Sequence, residues 1–400
     1  MAITITSTLG DSVAALYEKD FLEEKRKTSV WAQQGLVNWK YALGGANLKG
    51  SSINIPMIAE MAIATTALTE TSDVTPVALE DYVCTVSFAE YGNVVQTTRM
   101  LDIENYADVG KQAAYAVGQN QSKSLDILVR DAAVGGTWVA YPIGVGTRTG
   151  LDTTNDLMTF ADTMFWRGLI ADSSIQGFGN DLAIIVHPAV LAGVASDSNF
   201  LTAKAYMDAS AVFNGEVGKL GGFRFVSHEY GKLYLGGGST DQAATTTSAA
   251  ITAGATTVTL TDSTGIVAGE FLTVGTLEAA TVEQVMVTGY SSGSTATIMG
   301  RGNSATNFGF KFAHDSGVAA NAAPNVAGCV VAGRNSLFGA YAKDLGKDGQ
   351  LSVEWAKTNI PQRFLNHSWY GIWGFGRNEH ALLRIECAVP GGILGNNGVK

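Results

Sequence analysis

Three cysteines in 400 residues (Cys84, Cys329 and Cys387) are too few and too far apart in sequence for a disulfide framework or a zinc site. They read as buried thiols of a reducing compartment. Proline is scarce at 7 while glycine reaches 47, which favours many turns and close backbone contacts inside folded structure. No apolar run approaches the roughly 18 residues of a membrane-spanning helix. Met1-Ala2-Ile3-Thr4 has neither the basic start nor the apolar block of a signal peptide. Charged residues make up only 16% against 46% hydrophobic, so the chain can bury a large core and is not disordered. The net charge of −10 disfavours nucleic-acid binding over the whole surface, although a local basic patch is compatible with it. The length of 400 residues is enough for two or three domains.

The signatures of chemistry are missing too. Gly144-Val145-Gly146 lacks the third glycine of a dinucleotide loop, and no phosphate loop ends in Gly-Lys-Ser/Thr. There is no Gly-x-Ser-x-Gly elbow. His228-Glu229 is followed by Tyr230-Gly231-Lys232, so the second histidine of a zinc-protease helix is absent. His187, His228, His314, His367 and His380 are scattered, and a structural role is the reading for each. The sequence therefore offers no catalytic, cofactor-binding or metal-ligating residue, and the expectation is a protein that is not an enzyme.

What is present has a definite order. Residues 1–50 read as an arm, with a short helix over Leu9–Lys27 that ends in the basic cluster Lys25-Arg26-Lys27, and with Trp31 and Trp39 as apolar anchors. Residues 51–100 hold a stretch without one lysine or arginine between Lys49 and Arg99, yet with six acids: Glu60, Glu70, Asp73, Glu80, Asp81 and Glu90. Ile53, Ile55 and Met57 alternate with polar residues or proline, and Cys84, Val86 and Phe88 alternate with Thr85 and Ser87. These are strand patterns, and they suggest a long two-stranded loop projecting from the body. An isolated hairpin is marginal in water, so this one should rest on its own chain or on a neighbour.

A long helix is expected from Asp102 to Val134, about 45–50 Å in length. Ile103, Tyr106, Gly110, Ala113, Val117, Ser124 and Leu128 would lie on one face, with Lys111, Gln119, Lys123 and Asp126 elsewhere. Asp102 can cap its start and Gly135-Gly136 can stop it. A second helix is expected over Asn155–Asp172, with Leu157, Phe160, Ala161, Met164, Phe165 and Leu169 inside, followed by a buried strand at Leu182–Val186 and a short helix after His187-Pro188. Gly221-Gly222 should turn the chain into a strand at Phe223–Val226. Residues 237–325 are rich in Ala, Thr, Gly and Ser and contain short β runs separated by turn signals, which reads as a small all-β domain inserted into a surface loop. Residues 326–400 return to the body, with strands at Leu351–Trp355 and Leu382–Ala388 and an aromatic-rich end for the core.

This order of parts resembles the major capsid protein of tailed bacteriophages, the Hong Kong phage capsid fold. The run Gly215-Glu-Val-Gly-Lys-Leu-Gly-Gly-Phe-Arg-Phe-Val226 resembles one common in a subgroup of these coat proteins. Val258–Asp262, Gly269–Val274, Gln284–Thr288 and Arg301-Gly302 with His314 resemble a small β module recurrent in phage structural proteins. The resemblance implies an α+β fold: N-terminal arm (1–50), extended two-stranded loop (51–100), capsid body with a spine helix (101–236, helix 102–134), inserted β domain (237–325) and return to the body (326–400).

It further implies a structural protein without cofactors that assembles in the host cytoplasm as hexamers and pentamers of an icosahedral shell, the virion capsid. A separate scaffolding protein and a portal would be its partners. Packaged double-stranded DNA would be touched weakly and non-specifically, and no membrane is involved. The acidic loop would dock on basic groups of a neighbour, with Glu60, Glu70, Asp73, Glu80 and Asp81 facing Lys25, Arg26, Lys27, Lys111, Lys123 and Arg130. Two other readings stand beside it. A surface or adhesin-like β-rich protein is suggested by the Thr/Ala/Gly-rich segment, and a hydrolase with an unrecognised site is the weaker one.

Overall fold

A computed structural model describes residues 31–32, 36–43, 50–59, 61, 64–65, 76–104, 109–152, 155–172, 175, 182–197, 219–220, 222–239, 244–300, 308–355 and 363–389. The expected helix at Leu9–Lys27 and the middle of the acidic loop lie outside them. In chain order the first strands are β1 (Val37–Leu43), β2 (Ser52–Ile58), β3 (Asp81–Ser87) and β4 (Ala89–Thr98), followed by helices α1 (Arg99–Glu104) and α2 (Val109–Val134). Next come β5 (Val139–Ala140), α3 (Phe160–Asp172), β6 (Leu182–Val186), α4 (Pro188–Ser196), β7 (Lys219–Leu220), β8 (Phe223–Ser227) and β9 (Lys232–Tyr234). Short strands follow: β10 (Ala244–Thr246), β11 (Thr257–Thr259), β12 (Phe271–Val274), β13 (Glu283–Ser292), β14 (Thr295–Met299) and β15 (Ala319–Asn321). The chain ends with β16 (Asn325–Ala332), β17 (Leu337–Ala342), β18 (Gln350–Trp355), β19 (Phe364–Arg377) and β20 (Leu382–Val389). The molecule divides into two units, residues 1–129 with 337–378 and residues 130–336 with 379–400.

The first unit is built on a five-stranded sheet. β1 runs parallel to β17, β17 and β18 lie antiparallel to β19, and β4 pairs with β19 from Thr98↔Phe364 to Trp373↔Ala89. Neither β4 nor β19 is evident in the sequence. β4 is exposed along most of its length and shows no apolar alternation. β19 interleaves its aromatics with glycines and polar residues. One face of this sheet buries Trp369 and Trp373 against Val117 and Leu125 of α2. Asn120 Oδ1 accepts from Trp369 Nε1 at 2.8 Å, Gln121 Nε2 donates to the Asp348 carbonyl at 2.7 Å, and Asp126 Oδ1 accepts from the Ala32 amide at 3.0 Å. β2 and β3 form a separate two-stranded ribbon, Ser52↔Ser87 through Ile58↔Asp81.

Helix α2 is unbroken across Gly110 and Gly118. Residues 105–108 lie outside the described set, so the helical stretches are Arg99–Glu104 and Val109–Val134. The buried positions are 110, 113, 114, 117, 118, 121, 122, 125, 126, 129, 130, 133 and 134. The expected face is right from Gly110 to Val117, but Ile103, expected on it, is exposed, and Tyr106 lies outside the described residues. Beyond it the stripe runs through Gln121, Leu125, Asp126 and Arg130, while Ser124 and Leu128 sit at its margin. Sequence hydrophobicity set the phase wrongly because polar side chains with partners belong to the buried stripe.

The second unit holds a seven-stranded sheet, β5-β20-β16-β6-β8-β7 with β9 also on β16. β16 is buried at every position, as a central strand covered on both faces must be. Its core joins Ile184, Val186, Phe223, Val331 and Ile385 with Trp166 and Ile170 of α3. α3 begins at Phe160 and not at Asn155 because Thr159 and Asp162 form a reciprocal cap. Asp162 Oδ2 accepts from Thr159 N at 3.1 Å and from its hydroxyl at 2.6 Å, and Asp162 N donates back to Thr159 Oγ1 at 3.3 Å. The face turned inward carries Asp162, Thr163, Trp166 and Ile170, leaving Ala161, Met164 and Phe165 exposed against expectation. Gly222, at φ +85°, makes the turn between β7 and β8. Residues 244–321 make a six-stranded antiparallel sheet, β10-β15-β12-β13-β14-β11, with its own core around Leu272, Val274, Val285, Val287, Ile298 and Phe310.

Candidate assembly surfaces

The β2–β3 ribbon places the acidic loop. On its inner face Ile53, Ile55, Cys84 and Val86 are buried against Phe338 and Ala340. Glycines make this approach possible: a β-carbon at Gly374 would lie 2.6 Å from the Ser87 carbonyl oxygen, and one at Gly376 would lie 2.9 Å from Cys84 Sγ. Cys84 Sγ donates to the Arg377 carbonyl at 3.2 Å, and Tyr82 Oη donates to Asn378 Oδ1 at 3.4 Å. The base of the ribbon thus rests on its own chain.

The alternate residues of both ribbon strands are mostly exposed. Several large apolar residues of this stretch are exposed: Ile58 and Val83 on the ribbon, Met61, Val77 and Leu79 beyond the ends of its strands, Val94 and Val95 on β4, and Met100, Leu101 and Ile103 on α1. Ile103 is 81% exposed and Ile58 72%. These exposed apolar residues fall within one stretch of the sequence, 58–103. Among the acids expected to take part, Glu80 and Asp81 are exposed within it, while Glu60, Glu70 and Asp73 lie outside the described residues.

The expected basic donors separate. Lys25, Arg26 and Lys27 lie outside the described residues, Lys111 is exposed and Lys123 half-buried. Arg130 is fully buried: Nε and Nη2 donate to Asp131 Oδ1 at 2.9 and 2.7 Å, and Nη1 donates to the Tyr230 carbonyl at 3.0 Å. Its charge is engaged inside its own unit and is not presented to a neighbour.

Sequence reasoning missed a charged cluster in the second unit. Arg148 forks onto the fully buried Glu386 at 2.8 and 2.7 Å, and its guanidinium stands 3.5 Å from the Tyr234 ring centroid. The hydrogen bonds that Arg148 donates to the Glu386 carboxylate hold its pKa above the ordinary arginine range. Arg384 Nε lies 2.9 Å from Glu386 Oε1, and the Arg384 guanidinium donates to the Val134 carbonyl. No local spacing announces this cluster, since its members come from four distant segments. His187 caps α4 by accepting from the Ala189 amide at Nδ1, and burial lowers its pKa to about 4. Cys329 and Cys387 meet diagonally across β16 and β20, two residues out of register. The contact with Cys329 and burial raise the Cys387 thiol well above its ordinary value. Among the described residues no group of three or more His, Cys, Asp or Glu is placed to hold a metal, and no helix is long and apolar enough to cross a membrane.

No protein-family model matches the sequence, and no curated protein is similar to it. Solved structures are similar in fold. The capsid of Ralstonia phage GP4 superposes with a TM-score of 0.53 at 11% identity, covering 92% of this chain and 93% of that one. The cyanophage Pam1 capsid gives 0.51 at 14% identity, covering 86% and 87%. The capsid of cyanophage P-SCSP1u gives 0.50 at 10% identity, covering 90% and 88%. The chain therefore has the fold of phage capsid proteins, along nearly its whole length.

Proposed function

We propose that this chain is the structural major capsid protein of a tailed phage. In this reading it assembles into the hexamers and pentamers of an icosahedral shell, in the host cytoplasm, and remains in the virion around the genome. The observation that carries the reading is the likeness of fold over most of both chains. The exposed apolar residues between 58 and 103 support it, because a lone subunit leaves them in water and a neighbour would cover them. Residues 1–50 act as the arm, 51–100 as the extended loop, α2 as the spine, and 237–325 as an inserted domain. A scaffolding protein, a portal and packaged DNA are the partners of such a shell, and the role is architectural rather than catalytic.

Size-exclusion chromatography with negative-stain microscopy of the expressed protein tests this. Capsomers, shells or tubes are expected. A stable monomer, a fibre or a small closed oligomer under all assembly conditions would overturn it.

A further inference from the structure

The six-stranded sheet is joined to the rest of its unit by two chain crossings, and both are tightly bonded. At the crossings Gly236 N donates to Asn325 Oδ1 at 3.0 Å, Gly238 N to the Pro324 carbonyl at 3.0 Å and Ser239 N to the Leu151 carbonyl at 2.8 Å. Asn325, the first residue of β16, exchanges amide hydrogen bonds with Gln284 of β13 at 3.0 and 2.9 Å. Gln284 Nε2 also reaches Thr273 Oγ1 of β12 at 3.1 Å. The neutral, buried part of the junction therefore grips the β12–β13 hairpin one residue pair from its turn.

A charged contact holds the turn itself. Glu278 lies in the turn between β12 and β13 with φ +65°, a left-handed conformation that a non-glycine residue adopts at a cost. Its Oε1 accepts from Arg148 Nη1 at 3.2 Å. Arg148 is in turn fixed by Glu386 and Tyr234. The two carboxylates on Arg148 differ in kind: Glu386 is fully buried, while Glu278 is 57% exposed.

We propose that Arg148 is a latch for the six-stranded sheet. The Glu386 side is its permanent anchor and the Glu278 side is the releasable catch that sets how tightly the sheet is held at the two crossings. A long bond to an exposed carboxylate is the weaker half and the half that salt screens.

The test is hydrogen exchange on the unassembled full chain, comparing the parent with Glu278→Gln and Arg148→Lys. Glu278→Gln leaves the buried Arg148–Glu386 pair intact, so the fold is preserved, and circular dichroism checks this. The amides of Gly236, Gly238 and Ser239 should exchange faster in this variant by up to about fivefold, the most that one exposed ion pair contributes. The amides of β13 and β14 should keep their rates. Raising salt to about 1 M should bring the parent towards the variant and leave the variant unchanged. Arg148→Lys, which keeps the charge but loses the fork and the planar stack, should also loosen the crossings. Unchanged crossing amides in Glu278→Gln overturn the latch. So does equal acceleration of crossings and sheet, which would mean a general loss of stability.

Discussion

Val86 and Gly376 are packed so closely that a β-carbon at position 376 would lie 2.6 Å from Val86 Cγ2. The two residues belong to segments about 290 positions apart, and their contact seats the ribbon on the sheet. Gly376→Ala should push the ribbon off its seat and destabilise the fold by about 1–3 kcal/mol, as overpacking does. Chemical unfolding of the unassembled chain measures this. Combining it with Val86→Ala should recover part of the loss, since the two changes share one site. Strict additivity would show that the ribbon is not seated there.

His187 should make stability depend on acidity. Burial lowers its folded pKa to about 4 from 6.5, so the neutral ring is favoured in the folded state. As pH falls from about 6.5 towards 4 the unfolded chain takes up a proton that the folded chain does not, and stability drops. The loss levels off below the folded value and amounts to at most about 3 kcal/mol. His187→Asn keeps a capping acceptor for the Ala189 amide and should flatten this part of the pH profile. An unchanged profile in the variant would place the titration elsewhere.

Asp126 carries a hydrogen bond that arrives from far along the chain. Asp126→Ala leaves the Ala32 amide without this acceptor and should cost about 1–3 kcal/mol. Asp126→Asn, which keeps an oxygen, should cost less. Faster exchange of the Ala32 amide, with the centre of α2 unaffected, is the expected signature.

The acidic loop should act through charge between subunits. Changing Glu70, Asp73, Glu80 and Asp81 together to Lys should leave the subunit folded and block assembly, because like charges would then face the neighbour's basic groups. Sedimentation beside the parent reads assembly, and circular dichroism reads folding. The parent should also assemble less well as salt rises. Normal shells from the reversed protein would leave the apolar residues of 58–103 as the whole of the contact.

The buried thiols should be silent. Cys329 and Cys387 are fully buried, and the Cys387 thiol is held protonated. An aromatic disulfide reagent should label neither until the chain unfolds. Rapid labelling in native buffer would show an opening of the β16–β20 pair.

The sequence by itself determined the elements whose burial follows a short period. β6 matches the expected Leu182–Val186 residue for residue, and the ribbon strands contain the alternating Ile53-Ile55-Met57 and Cys84-Val86. These were legible because a strand buried on one or both faces writes its environment into neighbouring side chains. The glycines that end α2 and open β8 were legible for the same local reason.

Tertiary structure alone decided the rest. β4 gains its strand geometry from β19, some 270 positions later, and not from any apolar pattern of its own. The inner face of α2 is set by what Gln121 and Asp126 find to bond, which moved the stripe off Ser124 and Leu128. Arg130, expected as a cation facing a neighbour, is buried, because Asp131 and the Tyr230 carbonyl satisfy it. Arg148 became the centre of the charged cluster only once Tyr234, Glu278 and Glu386 were brought around it. A polar side chain does not record in the sequence whether its partner will be water or another part of the fold, and only the folded chain supplies that partner.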